Sequence, residues 1–302
     1  MVELHNSLPE LAAEGIKLYG VSYDDTEALA AYVEASGVEF TLLSDVDSAV
    51  IRQYEVLNTI VQPEDVPFYG VPFPGFFLLN KDGVIVDKLF NRHFAHRDGV
   101  EAILDSYAGR VLPGASDPLT TASEDDGITV TAFLRGGAGV LRAGPRRRLI
   151  LRVAMPEGLH IYDDPVPDGM VATSITIDGP DGFRNDPAER EPTHPFELPG
   201  VSQPLQVWDG TVDFTMNVWA DSVLGKTIAD GAESVEVDVT IRYQACDNSQ
   251  CFIPRTRTLR LEIPTGLSTR PNFSRSRAMV GEVVDMDSAT HMKRLIERQT
   301  AG

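Results

Sequence analysis

The hydrophobic and polar positions of the chain follow one pattern up to about residue 112 and another from about residue 128. In residues 1–112, stretches with apolar residues at helical spacing alternate with short apolar runs such as IKLYGVS and GFFLLN. Helical spacing is typical of amphipathic helices, and short apolar runs are typical of buried strands. The segments follow the order α-β-α-β-α-β-β-α, which predicts a mixed α/β sheet covered by helices.

From Ile128 onwards, apolar residues alternate with polar ones, as side chains do on the two faces of a strand. The clearest stretch is 235–244, in which Val, Ile and Tyr alternate with Glu, Asp, Thr, Arg and Gln. About seven such strands, separated by Pro- and Gly-rich turns, predict a β-sandwich over residues 128–264. The irregular stretch 178–204 is too long for a hairpin turn, so we interpret it as a covering or functional loop.

Two further segments follow neither pattern. The stretch 113–127, PGASDPLTTASEDDG, is rich in small and turn-forming residues and predicts a linker between two domains. Residues 265–302 have few large apolar side chains and predict a mobile tail, with one short helix in DSATHMKRLIERQ. The predicted organisation is therefore a domain over 1–112, the linker, a domain over 128–264, and the tail.

Composition and charge narrow the functional classes. The chain has 302 residues, 42% of them hydrophobic and 24% charged, which is an ordinary globular composition. Its net charge of −19 opposes binding to nucleic acid or to an anionic membrane surface. Neither a signal peptide nor a membrane-spanning apolar run is visible, so the sequence as written predicts a cytoplasmic protein without direct membrane insertion.

The only two cysteines, Cys246 and Cys251, lie in the short stretch QACDNSQC, at the predicted tip of a hairpin between Tyr243 and Arg255. They are too few for a disulfide-knit scaffold or a four-cysteine zinc site. Their spacing allows a disulfide, which would stabilise the fold by only about 2 kcal/mol because the closed loop is short. An exposed loop tip favours thiol exchange, whereas the Asp247 carboxylate would raise the pKa of a nearby thiol. The residues alone therefore leave a structural and an exchanging disulfide open.

Three segments resemble the N-terminal domain of the disulfide reductase DsbD. YQACDNSQCFIPRT (243–256) resembles its YQACDxxxCxxP signature, and GLHIY (158–162) and VWDG (207–210) resemble two further segments. The resemblance covers about residues 128–264 and implies an immunoglobulin-like sandwich. It also implies thiol–disulfide exchange with a thioredoxin-like or membrane-embedded partner protein outside the cytoplasm.

The same resemblance implies which residues form the site. Cys246 and Cys251 would be the exchanging pair, resting as a disulfide, with no metal or other cofactor. The near-site candidates within the signature are Tyr243, Asp247 and Pro254. Members of this family shield the pair with an aromatic residue on a cap loop, and Phe196 in the irregular stretch is a candidate for that role. The alternative for Phe196 is an ordinary apolar anchor of the loop.

Residues 1–110 resemble redoxins of the AhpC/TSA family, through FTLLSDVDSAVIRQYEVLN and GVPFPGFFLLNKDGVIVDKLF. This resemblance implies a thioredoxin-like domain and antioxidant activity. It makes Pro74 a candidate cis-proline, although most X-Pro bonds are trans. The family's first strand and active-site cysteine have no counterpart here. We therefore expect a domain without its first strand, in a chain that starts at an internal methionine of a longer, extracytoplasmic protein. The alternative is a relic domain that serves as a scaffold.

The spacing of His93 and His96 is compatible with metal ligands on a helix, but no third ligand is indicated, so we predict a polar turn and no metal. Taken together, the sequence predicts a thiol–disulfide oxidoreductase that exchanges electrons through Cys246 and Cys251 with thioredoxin-like partners. The alternative is a non-catalytic interaction module with a structural disulfide and a relic redoxin domain.

Overall fold

The structure is a computed structural model in which two compact units can be distinguished. The first unit comprises residues 1–112, 143–145 and 267–302, and the second comprises 113–142 and 146–266. The described residues are 1–66, 68–90, 98–109, 119–123, 127–198, 201, 203–247, 249–271, 281–284 and 288–300. The pair His93 and His96 lies outside them.

The N-terminal part of the first unit has the predicted order of helices and strands. Its elements are α1 (Val2–Asn6), α2 (Leu8–Ala13), β1 (Tyr19–Ser22), α3 (Thr26–Ser36), β2 (Thr41–Ser44), α4 (Ala49–Gln53), β3 (Gly75–Leu79), β4 (Ile85–Phe90) and α5 (Val100–Ala108). β1 pairs with β2 in parallel, and β3 pairs with β4 as a hairpin. Helix α2 packs on α5 through a small core of Leu11, Val100, Ile103 and Leu104. The prediction of an α/β domain is confirmed, but its described strands form two separate two-stranded sheets, β1-β2 and β3-β4, and not one mixed sheet.

The peptide bond before Pro74 is not cis, so the cis-proline prediction is wrong. Among the described residues, the cis peptide bond is Asp164–Pro165. The residue before Pro74 is held in place by a hydrogen bond, in which Phe73 N donates to Val56 O at 2.7 Å. In that setting the X-Pro bond adopts the trans form, which is the one of lower free energy.

The second unit consists mostly of strands. Its elements are β5 (Leu119–Ser123), β6 (Thr129–Arg135), a 3-10 turn (Gly137–Gly139), β7 (Leu141–Arg142), β8 (Arg147–Ala154), β9 (His160–Tyr162), β10 (Ser174–Asp178), β11 (Phe183–Asn185), β12 (Glu189–Arg190), β13 (His194–Phe196), β14 (Leu205–Asp209), β15 (Thr211–Ala220), α6 (Ser222–Ala229), β16 (Ser234–Tyr243), β17 (Ala245–Cys246) and β18 (Arg255–Gly266).

Two sheets of this unit enclose one apolar core. One sheet has the order β10-β16-β18-β7, and the other has the order β11-β15-β8-β6-β5, with β12 also paired to β15. The alternation predicted for 235–244 is confirmed: Val237, Val239 and Ile241 are fully buried in the core, and Phe214 of the other sheet is buried with them. A third, small sheet has the order β13-β14-β9-β17. The prediction of a mostly β domain is confirmed.

Part of the predicted linker is a strand. β5 pairs antiparallel with β6, with Ser123 opposite Thr129 and Leu119 opposite Phe133. A polar, Thr-rich strand can add to a sheet edge through its backbone alone, so composition did not reveal it. Residues 113–118 and 124–126 of that stretch lie outside the described residues. The irregular stretch 178–204 contains three short strands, β11, β12 and β13, which composition also failed to indicate.

The prediction of a mobile tail is wrong for its last segment. The tail contains β19 (Ser268–Pro271), β20 (Gly281–Val284) and α7 (Ser288–Thr300). Leu295 of α7 is 2% exposed and packs in a core cluster with Tyr23 and Ile51. The helix was predicted, but its docking was not, because its partners are far away in sequence. Residues 272–280 and 285–287 lie outside the described residues.

Two kinds of feature are absent from the described residues. No helix in them combines the length and the apolar character needed to cross a membrane. Within the same residues, no group of three His, Cys, Asp or Glu side chains is arranged to hold a metal ion.

Candidate redox site

The three segments that carry the DsbD resemblance are neighbouring strands of the small sheet β13-β14-β9-β17, which we call the site sheet. GLHIY ends in β9, VWDG lies in β14 and its following turn, and the cysteine signature begins at the end of β16 and continues through β17. His160 in β9 lies opposite Cys246 on one side and opposite Asp209 on the other. Side chains directly opposite each other share one face of a sheet. These segments are far apart in the sequence, but in the sheet their side chains form one site.

Cys246 and Cys251 form a disulfide whose Cα atoms are 4.0 Å apart. The two halves of this bond differ in accessibility: Cys246 is 0% exposed, whereas Cys251 belongs to the exposed residues. Cys246 is held in β17 and packs in a cluster with Tyr162, Leu205 and Val207. A reagent from solvent therefore reaches the disulfide at the Cys251 sulfur.

Asp247 closes the loop between the two cysteines. Its Oδ1 accepts hydrogen bonds from Ser249 N at 2.6 Å, Ser249 Oγ at 2.7 Å and Gln250 N at 2.7 Å. Asp247 N donates in turn to Gln250 O at 2.9 Å. The hydrogen bonds from the Ser249 hydroxyl and from the two backbone amides lower the pKa of the carboxyl, so it is ionised at neutral pH. The loop is thus a tight turn built around one carboxylate.

A hydroxyl and an imidazole lie beside the exposed sulfur. Tyr162 Oη is 4.0 Å from Cys251 Sγ and 2.9 Å from His160 Nε2. Both side chains come from β9, two positions apart, so they point to the same face of the site sheet. When His160 Nε2–H donates to Tyr162 Oη, the phenol proton is free to donate to the sulfur.

Burial determines the protonation of this pair. Burial lowers the pKa of His160, an effect that the nearby carboxylates of Asp209 and Asp247 oppose and that His194 reinforces. Burial also raises the pKa of the Tyr162 hydroxyl. At neutral pH the site therefore contains a neutral imidazole and a protonated phenol, which is a pair able to pass one proton.

Phe196 covers this pair from β13. Its ring centroid lies 4.2 Å from that of His160, and it packs against the cluster that contains Cys246. Phe196 as a whole residue is half-buried. Its position is compatible both with shielding of the site and with anchoring of the loop.

Gln244 fixes the two loops that flank the disulfide. It is 8% exposed; its Oε1 accepts from Val171 N at 2.9 Å, and its Nε2 donates to Phe252 O at 3.1 Å. One amide therefore holds the residue that follows Cys251 and also the loop after β9. A buried primary amide with both ends paired is costly to replace.

The structure brings some of the predicted residues together and not others. Cys246, Cys251 and Asp247 form the disulfide loop, and Phe196 lies on the adjoining strand. Tyr243 instead belongs to the main core of the sandwich, with the guanidinium of Arg257 over its ring at 5.4 Å. Half-buried Pro254 lies between the loop and β18. The catalytic and near-site roles of all these residues stay predictions.

Sequence reasoning missed His160, Tyr162 and Gln244 as site residues. A signal for the first two was present, since a His and a Tyr two positions apart share one face wherever the chain is extended. Gln244 stands within the cysteine signature, but its amide contacts cannot be derived from its position in the chain.

Residues 1–88 match the sequence model of the AhpC/TSA family. The chain is 32% identical over 106 residues to the peroxiredoxin bcp of Haemophilus influenzae, which covers 34% of this chain and 63% of the relative. It is 33% identical over 86 residues to the peroxiredoxin Bcp of Escherichia coli, which covers 27% of this chain and 51% of the relative. The chain thus spans about half to two thirds of the length of these curated relatives.

Two solved structures are similar to part of the chain. The N-terminal periplasmic domain of ScsB from Proteus mirabilis is 17% identical, covers 50% of this chain and 54% of that chain, and has a TM-score of 0.33. The N-terminal domain of DsbD from Neisseria meningitidis in the reduced form is 13% identical, covers 52% of this chain and 94% of that chain, and has a TM-score of 0.22. The resemblance of the N-terminal residues to redoxins is matched by the family model and by both curated relatives.

Proposed function

We propose that the protein is a thiol–disulfide oxidoreductase that exchanges two electrons with a thioredoxin-like partner through Cys246 and Cys251. The observation that carries the proposal is the unequal accessibility of the disulfide, with Cys251 exposed and Cys246 buried in the site sheet. Because only one half of the disulfide is accessible, a partner thiolate is directed to Cys251. The AhpC/TSA match of residues 1–88 supports redox chemistry in general.

The exchange has two steps in this proposal. A partner thiolate attacks Cys251 Sγ, a bond forms between these two sulfurs, and the Cys246–Cys251 bond breaks with its electron pair passing to Cys246. The partner's second thiolate then attacks the partner sulfur of the mixed disulfide and releases Cys251 as a thiolate. Each cysteine of the pair takes up one proton, so the partner loses two electrons and the pair gains them.

Tyr162 and His160 supply the proton handling at Cys251. The Tyr162 hydroxyl lies 4.0 Å from the sulfur and donates to it as the thiolate is released. His160, 2.9 Å from the same hydroxyl, supports this donation with its own N–H. Phe196 over the imidazole keeps bulk water from that side of the pair. Donation to a sulfur that bears charge is stronger than donation to a neutral one.

A redox titration of the purified protein tests the proposal. The fraction of disulfide is measured by alkylation and mass spectrometry in glutathione or dithiothreitol buffers of known potential. A midpoint within about −120 to −270 mV, the range of known exchange proteins, is the expected result. A pair that remains oxidised below about −300 mV would be a structural disulfide and would overturn the proposal.

Two variants test the assignment of the sulfurs. With Cys246→Ser, the thiolate of Cys251 should displace thionitrobenzoate from a thioredoxin variant whose one active-site cysteine carries that group, and the mixed disulfide between the two proteins should accumulate. With Cys251→Ser, the remaining thiol of Cys246 is buried and should accumulate far less. Equal trapping by both variants would contradict the order of attack.

The second candidate function is a non-catalytic interaction module with a structural disulfide. Full burial of Cys246 favours it, because an inaccessible thiol exchanges slowly. The redox titration above separates the two functions. A location outside the cytoplasm belongs to the first proposal, because disulfides persist in oxidising compartments. The redox state of the pair, trapped by alkylation in intact cells, tests that location.

A further inference from the structure

Ile253, two residues after Cys251, projects into solvent. It is 80% exposed, which is the largest exposed fraction of any large apolar side chain in the described part of the chain. Single exposed apolar residues are common on protein surfaces and need no special explanation. This one differs because it lies beside the only sulfur of the disulfide that solvent reaches, so any protein bonded to Cys251 must come close to it.

The backbone around Ile253 is fixed on both sides. Phe252 N donates to Ala245 O at 2.9 Å, and Phe252 O accepts from Gln244 Nε2 at 3.1 Å. The ring of Phe252 packs against the main core, and β18 begins soon after, with Arg255 paired to Tyr243. An apolar side chain held by such a rigid loop loses little backbone entropy when a partner covers it.

Two carboxylates belong to the same site as the disulfide. Half-buried Asp247 lies in the disulfide loop. Asp209, whose side chain is 65% exposed and lies 3.3 Å from His194 Nε2, stands opposite His160 in the site sheet. Both are near enough to His160 to raise its pKa, which places negative charge around the site. The whole chain also carries a net charge of −19. A partner that approaches Cys251 therefore meets an apolar protrusion with an acidic rim.

We propose that Ile253, Asp247 and Asp209 form a docking surface for a thiol protein whose nucleophilic cysteine has an apolar neighbour and cationic residues around it. This inference rests on the exchange proposed for Cys251. Ile253 fits against the apolar neighbour of the attacking cysteine, and the two carboxylates select positive charge at its rim. The surface thus sets the preference among thiols, whereas the disulfide supplies the chemistry.

Three synthetic peptides of equal length provide the probes. Each has one cysteine, flanked by leucine and lysine in the first, by leucine and glutamate in the second, and by serine and lysine in the third. The rate of the first exchange step, in which the peptide thiolate forms a mixed disulfide with Cys251 and releases Cys246, is measured by stopped flow. Each rate is divided by the rate of the same peptide with a small aromatic disulfide, which removes differences in thiol pKa. Dithiothreitol serves as the control reductant, because it is too small to contact a docking surface.

The leucine–lysine peptide should react fastest. Ile253→Ser should slow it roughly fivefold, because part of an apolar contact is lost, and should leave dithiothreitol and the serine–lysine peptide unchanged. Asp247→Asn keeps the acceptor oxygen of the turn and should reduce the preference for lysine over glutamate. The matched control is Ile60→Ser, since Ile60 is 71% exposed and belongs to the first unit. It should alter none of these rates.

Two outcomes would overturn the docking surface while the exchange stands: equal rates for the three peptides, or equal effects of Ile253→Ser and Ile60→Ser. If the disulfide is reduced only in dithiothreitol buffers with a potential below about −300 mV, the proposed exchange is wrong. The proposed docking surface then fails with it. Circular dichroism confirms that each variant is folded before its rates are compared.

Discussion

The strands of the first unit are covered less completely than those of the second. In the first unit, Tyr19 and Val21 of β1 are 57% and 47% exposed, and Val86 of β4 is 57% exposed. In the second unit, the inward side chains of β8, β15 and β16 are almost fully buried between two sheets. The family match falls on the first unit, but the cysteines fall on the second. Similarity to a redox family and redox-capable chemistry thus reside in different parts of this chain.

The well-packed second unit is suited to carry the site because the site needs precisely placed groups. The Cys251 sulfur is held by a loop whose ends continue from strands of a rigid sandwich, and the groups beside it come from neighbouring strands of the site sheet. Placement of a hydroxyl 4.0 Å from a sulfur requires backbone that does not fluctuate. The well-packed unit provides that backbone.

The largest effect should come from matched cavities in the two cores. Leu151→Ala in the second unit should cost about 4–5 kcal/mol of unfolding free energy, because closely packed strands cannot collapse into the cavity. Leu104→Ala in the first unit should cost about 2–3 kcal/mol, because its half-buried neighbours can relax. Native-state hydrogen exchange of amides in each unit measures both values. If the two substitutions lower the unfolding free energy equally, the two cores do not differ in packing.

The docking of α7 should be weaker than either core. Leu295→Ala should cost about 2 kcal/mol and increase hydrogen exchange in α7. The matched control is Ile296→Ala on the same helix, since Ile296 is 41% exposed and should have little effect. If both substitutions act equally, the helix does not pack through Leu295.

Tyr162→Phe should slow reduction of the disulfide roughly tenfold at neutral pH, because one hydrogen bond to a charged sulfur is lost. The ring remains, so the packing of the site sheet should be unchanged. The rate is measured with dithiothreitol against pH. A control is Tyr107→Phe, since Tyr107 is 53% exposed in the first unit. If Tyr162→Phe is reduced at the same rate as the unsubstituted protein, Tyr162 has no role in proton transfer to the sulfur.

The smallest effect should be a pH dependence from His160. Its pKa is lower in the folded state than the ordinary value of about 6.5, so below that pH the unfolded chain binds the proton more readily. The unfolding free energy should therefore fall as pH decreases from about 6.5 to the folded pKa, by less than about 1 kcal/mol, since Asp209 offsets part of the burial. His160→Gln should lack this decrease. Urea unfolding of the two proteins between pH 7 and 5 provides the comparison.

The sequence predicted the elements whose pattern is local. The alternation over 235–244 predicted β16, and the helical and strand patterns of residues 1–112 predicted their order. It failed where pairing is distant, since the partners of Leu295 are Tyr23 and Ile51. It also failed for β9, β13 and β17, because strands of two or three residues are too short to show a period.

For the site, spacing alone left the state of the two cysteines undecided, and the resemblance supplied the disulfide that the structure contains. The difference in exposure between Cys246 and Cys251 had no signal in the sequence, because it depends on packing against β9 and β14. The pair of His160 and Tyr162 required the register of three separate strands. The missing first strand of the redoxin domain stays a prediction.

The docked helix α7 also has a consequence for synthesis on the ribosome. The first unit is assembled from residues at both ends of the chain, with the second unit inserted between them. Domains usually fold as they emerge, the N-terminal one first, at about 5–20 residues per second. Here the second unit can fold earlier, whereas the apolar surface around Tyr23 and Ile51 must wait until Leu295 has left the ribosome. During that interval, the apolar residues around Tyr23 and Ile51 lack the partner that covers them in the folded protein and are open to a chaperone.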